Sequence, residues 1–489
     1  MRTVKRIFKN FSFLLVGSII QKFLTLVLIV YIAHRLGIGD FGVYSFILSF
    51  VILFTIFGDL GVSVLIFREI PKNKSNTSRL LGDALAIKLL LMFFVFVLAF
   101  LSLFVLNLLK PESYPPIMFL FVFIMVGSMV LDSLAGLFRT IFFAFERMEY
   151  DFIVNTAYKI VLTMLSFFVL FLGYGLLLVF LVAALSSLLN LFLSVLLVLF
   201  KFPKPVIRID FKHYKAVILR ALPFCFIAIF ASIYGSIDSV MLSFFKGNID
   251  VGYYNAANRL TNSLAFIPSM FVSSMFPIMS SFFAQRNKSL LTIIKKSFTY
   301  LLALVLPIAF GTTLLAGRII ALIYPTTATN DFSPASIALL ILVWFSVFSF
   351  INIFFLSLLT STAYEKRTVL FLFIALIFNV VFNLFLIPIY SFAGAAIASV
   401  LSELIFFISC YYLISKYFKF GIKGIFGPIT KILIGCLLMV LFIYLFFFLN
   451  LFILVIISAF IYFFVIFLLR LFDKEDKLII KKLFFRGNL

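Results

Sequence analysis

Apolar stretches of roughly 20 residues, each long enough to cross a bilayer as a helix, recur along the whole chain between short polar breaks. They predict about fourteen spans, near residues 11–34, 42–67, 82–107, 116–139, 152–172, 175–200, 217–245, 252–283, 297–317, 335–361, 368–388, 392–415, 429–449 and 451–470. Polar residues inside these spans fall at helical intervals. In Gly252-Tyr-Tyr-Asn-Ala-Ala-Asn-Arg-Leu260 and its continuation, Asn255, Asn258, Arg259 and Asn262 stand at i, i+3, i+4 and i+7 and share one stripe. Ser18, Gln21, Lys22 and Thr25 make a second stripe in the first span. An arginine exposed to lipid costs at least about 2.5–3.5 kcal/mol. The Arg259 stripe is therefore expected to face protein or water and to line the place where the protein acts.

Composition sharpens this picture. With 65% hydrophobic residues the chain is not a soluble protein, and no segment is long and polar enough for a separate soluble domain. The formal charge of +22 is not a nucleic-acid signal, because nearly all of it sits in short loops between spans. Alternate loops place 32 Lys and Arg on one side, among them Arg68, Arg139, Lys201, Arg286, Lys366, Lys431 and Arg470, against Arg35, Lys110, Lys246 and Arg318 on the other. The bias predicts a multi-pass protein of the cytoplasmic membrane with both termini cytoplasmic, and it fits an even number of spans. The first span follows Arg2, Lys5, Arg6 and Lys9 without a small-residue cleavage site and is read as retained. Cys225, Cys410 and Cys436 lie in apolar runs without ligand spacing, so packing is expected and a metal is not. The outer loops, the longest near 108–115 and 318–334, leave no room for a catalytic domain.

The chain carries an internal repeat. Asp40-Phe-Gly-Val-Tyr44 after the first span matches Asp250-Val-Gly-Tyr-Tyr254 after the seventh, 210 residues on. Phe145-Glu146-Arg147 matches Tyr364-Glu365-Lys366, and Gly175 matches Gly394, both 219 residues on. Six spans separate each pair. An even number keeps orientation, so two parallel repeats are expected: an N-lobe over 1–200, a cytoplasmic linker over 201–216 and a C-lobe over 217–415. Spans 13 and 14 over 416–470 stand outside the repeat, followed by a basic tail over 471–489.

Ionisable residues inside spans are functional candidates by default. Lys22 lies about 16 Å into the first span, at 1.5 Å per residue. It either pairs across helices with Asp59 or another acid or faces a cavity, and the two are compatible. Lys159 shares a face with Asn155, Thr163 and Ser166 near the cytoplasmic end of its span, and Lys88 lies two turns inside the third. Asp83 has Arg79 one turn away, and Asp132 has Arg139 at i+7. Asp59 lies in Gly58-Asp-Leu-Gly61, while Asp238 and Glu403 have no local partner. A buried acid pairs across helices or titrates, which makes Asp59, Asp238 and Glu403 candidates for proton or sodium coupling. Two cations, Lys22 and Arg259, one in each repeat, suit an anionic group such as a phosphate. No G-x-x-x-x-G-K-[ST] loop occurs, so ATP bound by this chain is not the energy source.

Leu36-Gly-Ile-Gly-Asp-Phe-Gly-Val-Tyr44, Gly58-Asp-Leu-Gly61 and the 252–260 motif resemble the polysaccharide-transporter family. These are the O-antigen (Wzx-type) and lipid-linked oligosaccharide flippases, in the MOP superfamily that also holds MATE exporters and MviN-type lipid II flippases. The resemblance implies an all-α integral membrane fold of two parallel six-helix lobes forming a V, plus two C-terminal helices. It implies a central cationic cavity for the pyrophosphate and sugars of a polyprenyl-linked glycan, and it carries over to Lys22 and Arg259. Lysines 22, 88 and 159 would stand where relatives often carry arginines. The expected function is a flippase moving a polyprenyl-(pyro)phosphate-linked repeat unit from the cytoplasmic to the outer leaflet by alternating access. In that reading Lys22, Arg259, Asn255, Asn258, Asn262, Gln21 and Lys159 line the cavity. No cofactor is expected beyond coupling to H+ or Na+. The expected partners are the lipid-linked glycan, membrane lipid and glycan-assembly enzymes, with no nucleic acid, and a monomer is expected. The alternatives are a multidrug or small-metabolite exporter of the same superfamily, which a cationic cavity disfavours, and a membrane-embedded glycan polymerase or ligase. The last would need catalytic side chains in an outer loop, and the chain's histidines, His34 and His213, lie at membrane edges.

Overall fold

The computed structural model describes residues 2–72, 74–206, 211–285, 289–327, 330–362, 364–421 and 424–471. The expected basic tail from 472 onward, and the loop cations Arg208, Arg286, Lys288 and Lys423, lie outside the described residues. The chain is helical almost throughout: α1 (Arg2–Thr55), α2 (Val62–Glu69), α3 (Thr77–Leu109), α4 (Ile117–Ala144), α5 (Met148–Phe171), α6 (Leu176–Lys201), α7 (Phe211–Lys246) and α8 (Asn248–Leu264). Then follow α9 (Phe266–Ala284), α10 (Ser289–Ile323), a small hairpin of β1 (Thr326–Thr327) and β2 (Asn330–Asp331), α11 (Ala335–Ser361), α12 (Glu365–Phe418), α13 (Phe426–Leu445) and α14 (Leu451–Leu468). A chain that satisfies its backbone groups internally in every apolar run is what lipid demands.

Among the described residues, twelve helical stretches are long and apolar enough to cross a membrane. Two of them hold a sharp corner. Gly37 turns α1 at φ 79°, and Ser391 turns α12 at φ 52°. Splitting those two at their corners gives fourteen segments, in agreement with the spans read from hydropathy. Two expected spans are less regular than their composition suggests. The second breaks after a 3-10 turn at Ile56–Gly58, where Leu60 and Gly61 both adopt positive φ, and resumes as α2. The eighth is divided at Ala265 into α8 and α9. Apolar periodicity reads neither break, because an interruption of one to a few residues leaves the hydropathy of the window intact.

By packing, the described chain divides into two units: Met1–Arg259 with Tyr324–Phe332 and Leu376–Ala395, and Leu260–Ile323 with Ser333–Ala375 and Ala396–Leu489. In the first, α4 and α6 pack closely through small polar side chains, with Ser128 Oγ 2.8 Å from Ser187 Oγ. Interfaces of small residues let membrane helices approach and hydrogen-bond. A separate apolar core joins α2, α3, α4 and α7 through Leu65, Ile66, Ala84, Phe138, Phe142 and Ala221.

In the second unit α10, α11 and α9 pack together, and α13 and α14 dock on α10. Gly435 admits the Tyr462 ring, which would sit 3.1 Å from a Cβ there, and Tyr462 donates to the Ala303 carbonyl at 2.7 Å. Arg318 holds the α13–α14 turn by donating to the carbonyls of Phe447 and Leu449. Between these three helices lies an apolar cavity of about 340 Å³, lined by Pro307, Gly311, Met439, Val455 and Tyr462 among others.

Candidate functional site

The repeated Asp-x-Gly-x-Tyr motifs fold alike. Gly37 and Gly247, 210 residues apart, both take positive φ and each turns the chain into a new helical segment. Asp40 and Asp250 then sit in the first turn, where a carboxylate interacts favourably with the positive end of the helix dipole. Gly42 and Gly252 pack each against the other motif. A Cβ on Gly42 would collide with the carbonyl of Asn248, and one on Gly252 would lie 2.7 Å from the carbonyl oxygen of Ile38. Asn248 is to Ile38 as Gly252 is to Gly42, 210 residues on. The contact is therefore reciprocal, the form a two-fold relation imposes.

Other loops of this end lock onto the crossing. The 324–332 hairpin brings Phe332 against Phe41 at 5.9 Å and stacks it on Tyr324 at 5.1 Å, all three fully buried. Tyr324 donates to the Ala256 carbonyl at 3.1 Å, and burial pushes its phenol well above the usual range. Lys110 donates to the Phe244 carbonyl at 2.6 Å, and the Tyr114 hydroxyl meets Ser243 at 3.3 Å. These segments sit at the end of the spans that carries few basic residues.

Beyond the crossing, α8 presents the stripe read from the sequence. Arg259 is half-buried, and among the described residues it forms no ion pair with a carboxylate. Asn258 is half-buried and Asn262 exposed. Asn255 is set apart from them: it is buried, and its amide nitrogen donates to Ser239 at 2.9 Å and to the Val251 carbonyl at 3.0 Å. On α1, Lys22 is exposed and Gln21 half-buried. Lys159 is half-buried against the neighbouring Tyr158 ring and makes no ion pair among the described residues.

Three charged groups stand otherwise than their sequence positions suggest. Asp59 pairs with Lys88, not with Lys22, at 2.6 Å. Lys88 is 2% exposed and adds bonds of 3.0 Å to the Ser133 carbonyl and hydroxyl. Asp59 is thus a partner in an ion pair, which weakens its claim as a coupling acid. Arg139, counted with the loop cations, instead lies within α4 with its side chain 18% exposed. It donates to Asn155 at 2.7 Å and Asn190 at 2.9 Å and lies 3.5 Å from Asp151. Asp132 does not pair with Arg139 directly. It accepts from Tyr158, Ser187 and Asn190, so Asn190 bridges the two across α4, α5 and α6. Sequence reasoning missed this network. Asp132 and Arg139 at i, i+7 were a signal for it, but Asn190, Asn155 and Ser187, which complete it, reach them from other helices.

Two of the remaining acids accept hydrogen bonds from neutral side chains. Asp238 is buried and accepts from Tyr254 at 2.7 Å and Asn383 at 2.6 Å. Glu403 is buried and accepts from Asn352 at 2.9 Å. Asp83 lies 3.7 Å from Arg79, the local pairing its spacing predicts. No group of three or more His, Cys, Asp or Glu that could hold a metal occurs among the described residues. The three cysteines are buried and free.

Comparison with known proteins gives a consistent answer. The sequence profile described as "Polysaccharide biosynthesis protein" matches residues 7–283, more than half of the chain, and the MatE profile matches residues 223–385. The "Probable flippase AglR" of Haloferax volcanii is 29% identical over 176 residues, which is 35% of each chain. The chain thus aligns with about a third of the length of this curated relative. Among solved structures, the lipid II flippase MurJ in an inward closed conformation superposes with a TM-score of 0.76 at 17% identity, covering 93% of this chain and 97% of that one. An inward-facing multidrug resistance MATE transporter of the MOP superfamily gives 0.67 at 14% identity, covering 81% and 95%. These similarities show the fold: an all-helical, multi-pass membrane protein of the MurJ/MATE type.

Proposed function

The chain belongs to the polysaccharide biosynthesis protein family, and from that premise we propose that it is a flippase for a polyprenyl-(pyro)phosphate-linked oligosaccharide. The observation that carries the reading is Arg259, a half-buried guanidinium on a polar helix face with no carboxylate partner among the described residues. Burying a cation without a counter-charge is costly unless a ligand supplies one. A diphosphate offers two anionic groups that match the guanidinium fork, and charge-assisted bonds of this kind are the strong ones. Lys22 and Lys159 add cations that the lipid diphosphate would meet, while Gln21, Asn258 and Asn262 offer hydrogen bonds to sugar hydroxyls. Asn255 supports the stripe from behind through Ser239.

In this reading the chain alternates between two conformations with its termini in the cytoplasm, and the repeated halves 1–200 and 217–415 move about their shared crossing. Asp238 and Glu403, buried acids that accept from Tyr254, Asn383 and Asn352, are the candidates to couple the cycle to H+ or Na+. The chemistry needed is binding and release, with no bond made or broken. The chain works next to enzymes that build and consume its lipid-linked substrate.

Proteoliposomes test this. Full-length protein should move a polyprenyl-diphosphate oligosaccharide across the bilayer, read by loss of access to an added glycosidase. Movement of a lipophilic cationic dye, with none of the glycan lipid, would favour the exporter reading instead.

A further inference from the structure

The second expected span is two helical pieces joined at a break, and a buried lysine holds the break from the side. The part of α1 after the Gly37 corner ends at Thr55, and a 3-10 turn covers Ile56–Gly58. Leu60 and Gly61 then take φ of 42° and 77°, and α2 starts at Val62. Leu60 is not a glycine, so its left-handed backbone stores strain. A 3-10 stretch inside a helix often marks a hinge. Asp59 sits in this break. Its carboxylate caps the start of α2, accepting the Ser63 hydroxyl at Oδ1 (2.6 Å) and the Ser63 N–H at Oδ2 (3.4 Å).

Lys88 reaches the same carboxylate from α3. An ammonium has three hydrogens to donate. One goes to Asp59 Oδ1 at 2.6 Å, and the others go to the carbonyl and the hydroxyl of Ser133 on α4, each at 3.0 Å. Lys88 is 2% exposed, so all of its bonding is spent on the break and on α4. The packing of α2 does not depend on this charge, since Val62, Leu65 and Ile66 already join an apolar core with α3, α4 and α7. A buried ion pair adds little over apolar side chains of similar size, so its use here points to fixing one arrangement.

The piece beyond the break is short. It runs for eight residues, Val62–Glu69, and carries the span to the end rich in basic residues. There it packs on α7, which begins the second of the two proposed halves, in a cluster that includes Ile66 of α2 and Ala221 of α7.

We propose that residues 56–61 are a hinge, that α2 is a gate closing the basic end against α7, and that Lys88 is the positioning residue that latches it through Asp59. When the Asp59–Lys88 bond opens, α2 turns about the break and away from α7, while the part of α1 before the break keeps its place. Because the helix is already interrupted, this motion unwinds no continuous helix. The device goes beyond the transport reading. Its test needs no glycan lipid, so the two readings fail separately.

Thiol labelling of the full-length protein in detergent tests it, with N-ethylmaleimide as the probe and peptide mass spectrometry reading each site. Ile66→Cys and Ala221→Cys report on the seam between α2 and α7. Val122→Cys, fully buried in α4 outside that cluster, is the control. All three should label slowly while Lys88 is in place. Adding Lys88→Met should speed labelling at positions 66 and 221 on the order of tenfold, because Asp59 loses its ion partner, and leave position 122 unchanged. Ser133→Ala, which removes only the hydroxyl bond, is the milder variant if Lys88→Met does not accumulate. It should give about a threefold rise at the same two positions. No rise at 66 and 221 would overturn the proposal. An equal rise at 122 would also overturn it, since the pair would then stabilise the fold as a whole.

Discussion

Gly42 and Gly252 each abut the other's repeat: Gly42 meets Asn248, Gly252 meets Ile38, and Ile38 and Asn248 are themselves counterparts 210 residues apart. Two positions 210 residues apart thus serve the same packing role twice, with the backbone of each motif filling the space a side chain would take from the other. The short Asp-x-Gly-x-Tyr match in the sequence is in this way a statement about geometry. A side chain at either glycine would force the crossing apart.

Gly42→Ala should therefore destabilise the protein by about 1–3 kcal/mol, the usual cost of overpacking, or more since the obstacle is backbone. Gly252→Val should do the same. Gly317→Ala, where a Cβ meets nothing within 4 Å, is the control and should melt like wild type. Thermal unfolding in detergent measures all three.

The Lys88–Asp59 pair makes a different demand. Removing one partner leaves the other charge poorly compensated, on the order of 3 kcal/mol for a buried pair. Asp59 is 21% exposed, so the loss on Lys88→Met, which leaves Asp59 with some access to solvent, should be smaller than that on Asp59→Leu, which strands Lys88. The double variant should recover much of the loss, in a double-mutant cycle read by melting temperature.

Tyr324 gives a pH signature outside the spans. Burial favours its neutral phenol, so the folded protein holds that proton above the pH where an unfolded tyrosine, near 10, would release it. The stability this contributes is fully present below about pH 10 and is lost as pH rises through the folded value. Tyr324→Phe should cost about 1 kcal/mol at neutral pH through the lost bond to Ala256, and should flatten the alkaline decline. An unchanged alkaline limb would show that the phenol does not titrate with unfolding.

Much of the fold was legible from hydropathy, because the bilayer forces each span to declare itself in composition. Both corners fall in gaps between expected spans, Gly37 between residues 34 and 42 and Ser391 between residues 388 and 392. The breaks inside the second and eighth spans were not read. Ser391, a non-glycine residue at φ 52° and ψ −132°, accepts a strain of about 1–3 kcal/mol. The site was half legible. Helical spacing grouped Asn255, Asn258, Arg259 and Asn262, since spacing within one helix is a property of sequence, but not the burial that sets Asn255 apart on Ser239. It assigned Asp59 and Arg139 poorly, since Lys88, Asn155 and Asn190 reach them from other helices, and no intrahelical spacing encodes that.

The account rests most directly on Arg259 as the cation that meets the substrate's phosphates. Its charge makes no ion pair among the described residues, so its loss should spare folding and impair transport. Arg259→Ala should weaken substrate handling by about 1.5–3 kcal/mol, the value of a hydrogen bond to a charged group, with Arg259→Lys also impaired because the planar fork is lost. The decisive measurement is glycan-lipid transport by Arg259→Glu, with abundance of the protein in the membrane measured alongside. The account predicts normal abundance and no transport. Transport at the wild-type rate in Arg259→Glu would contradict it.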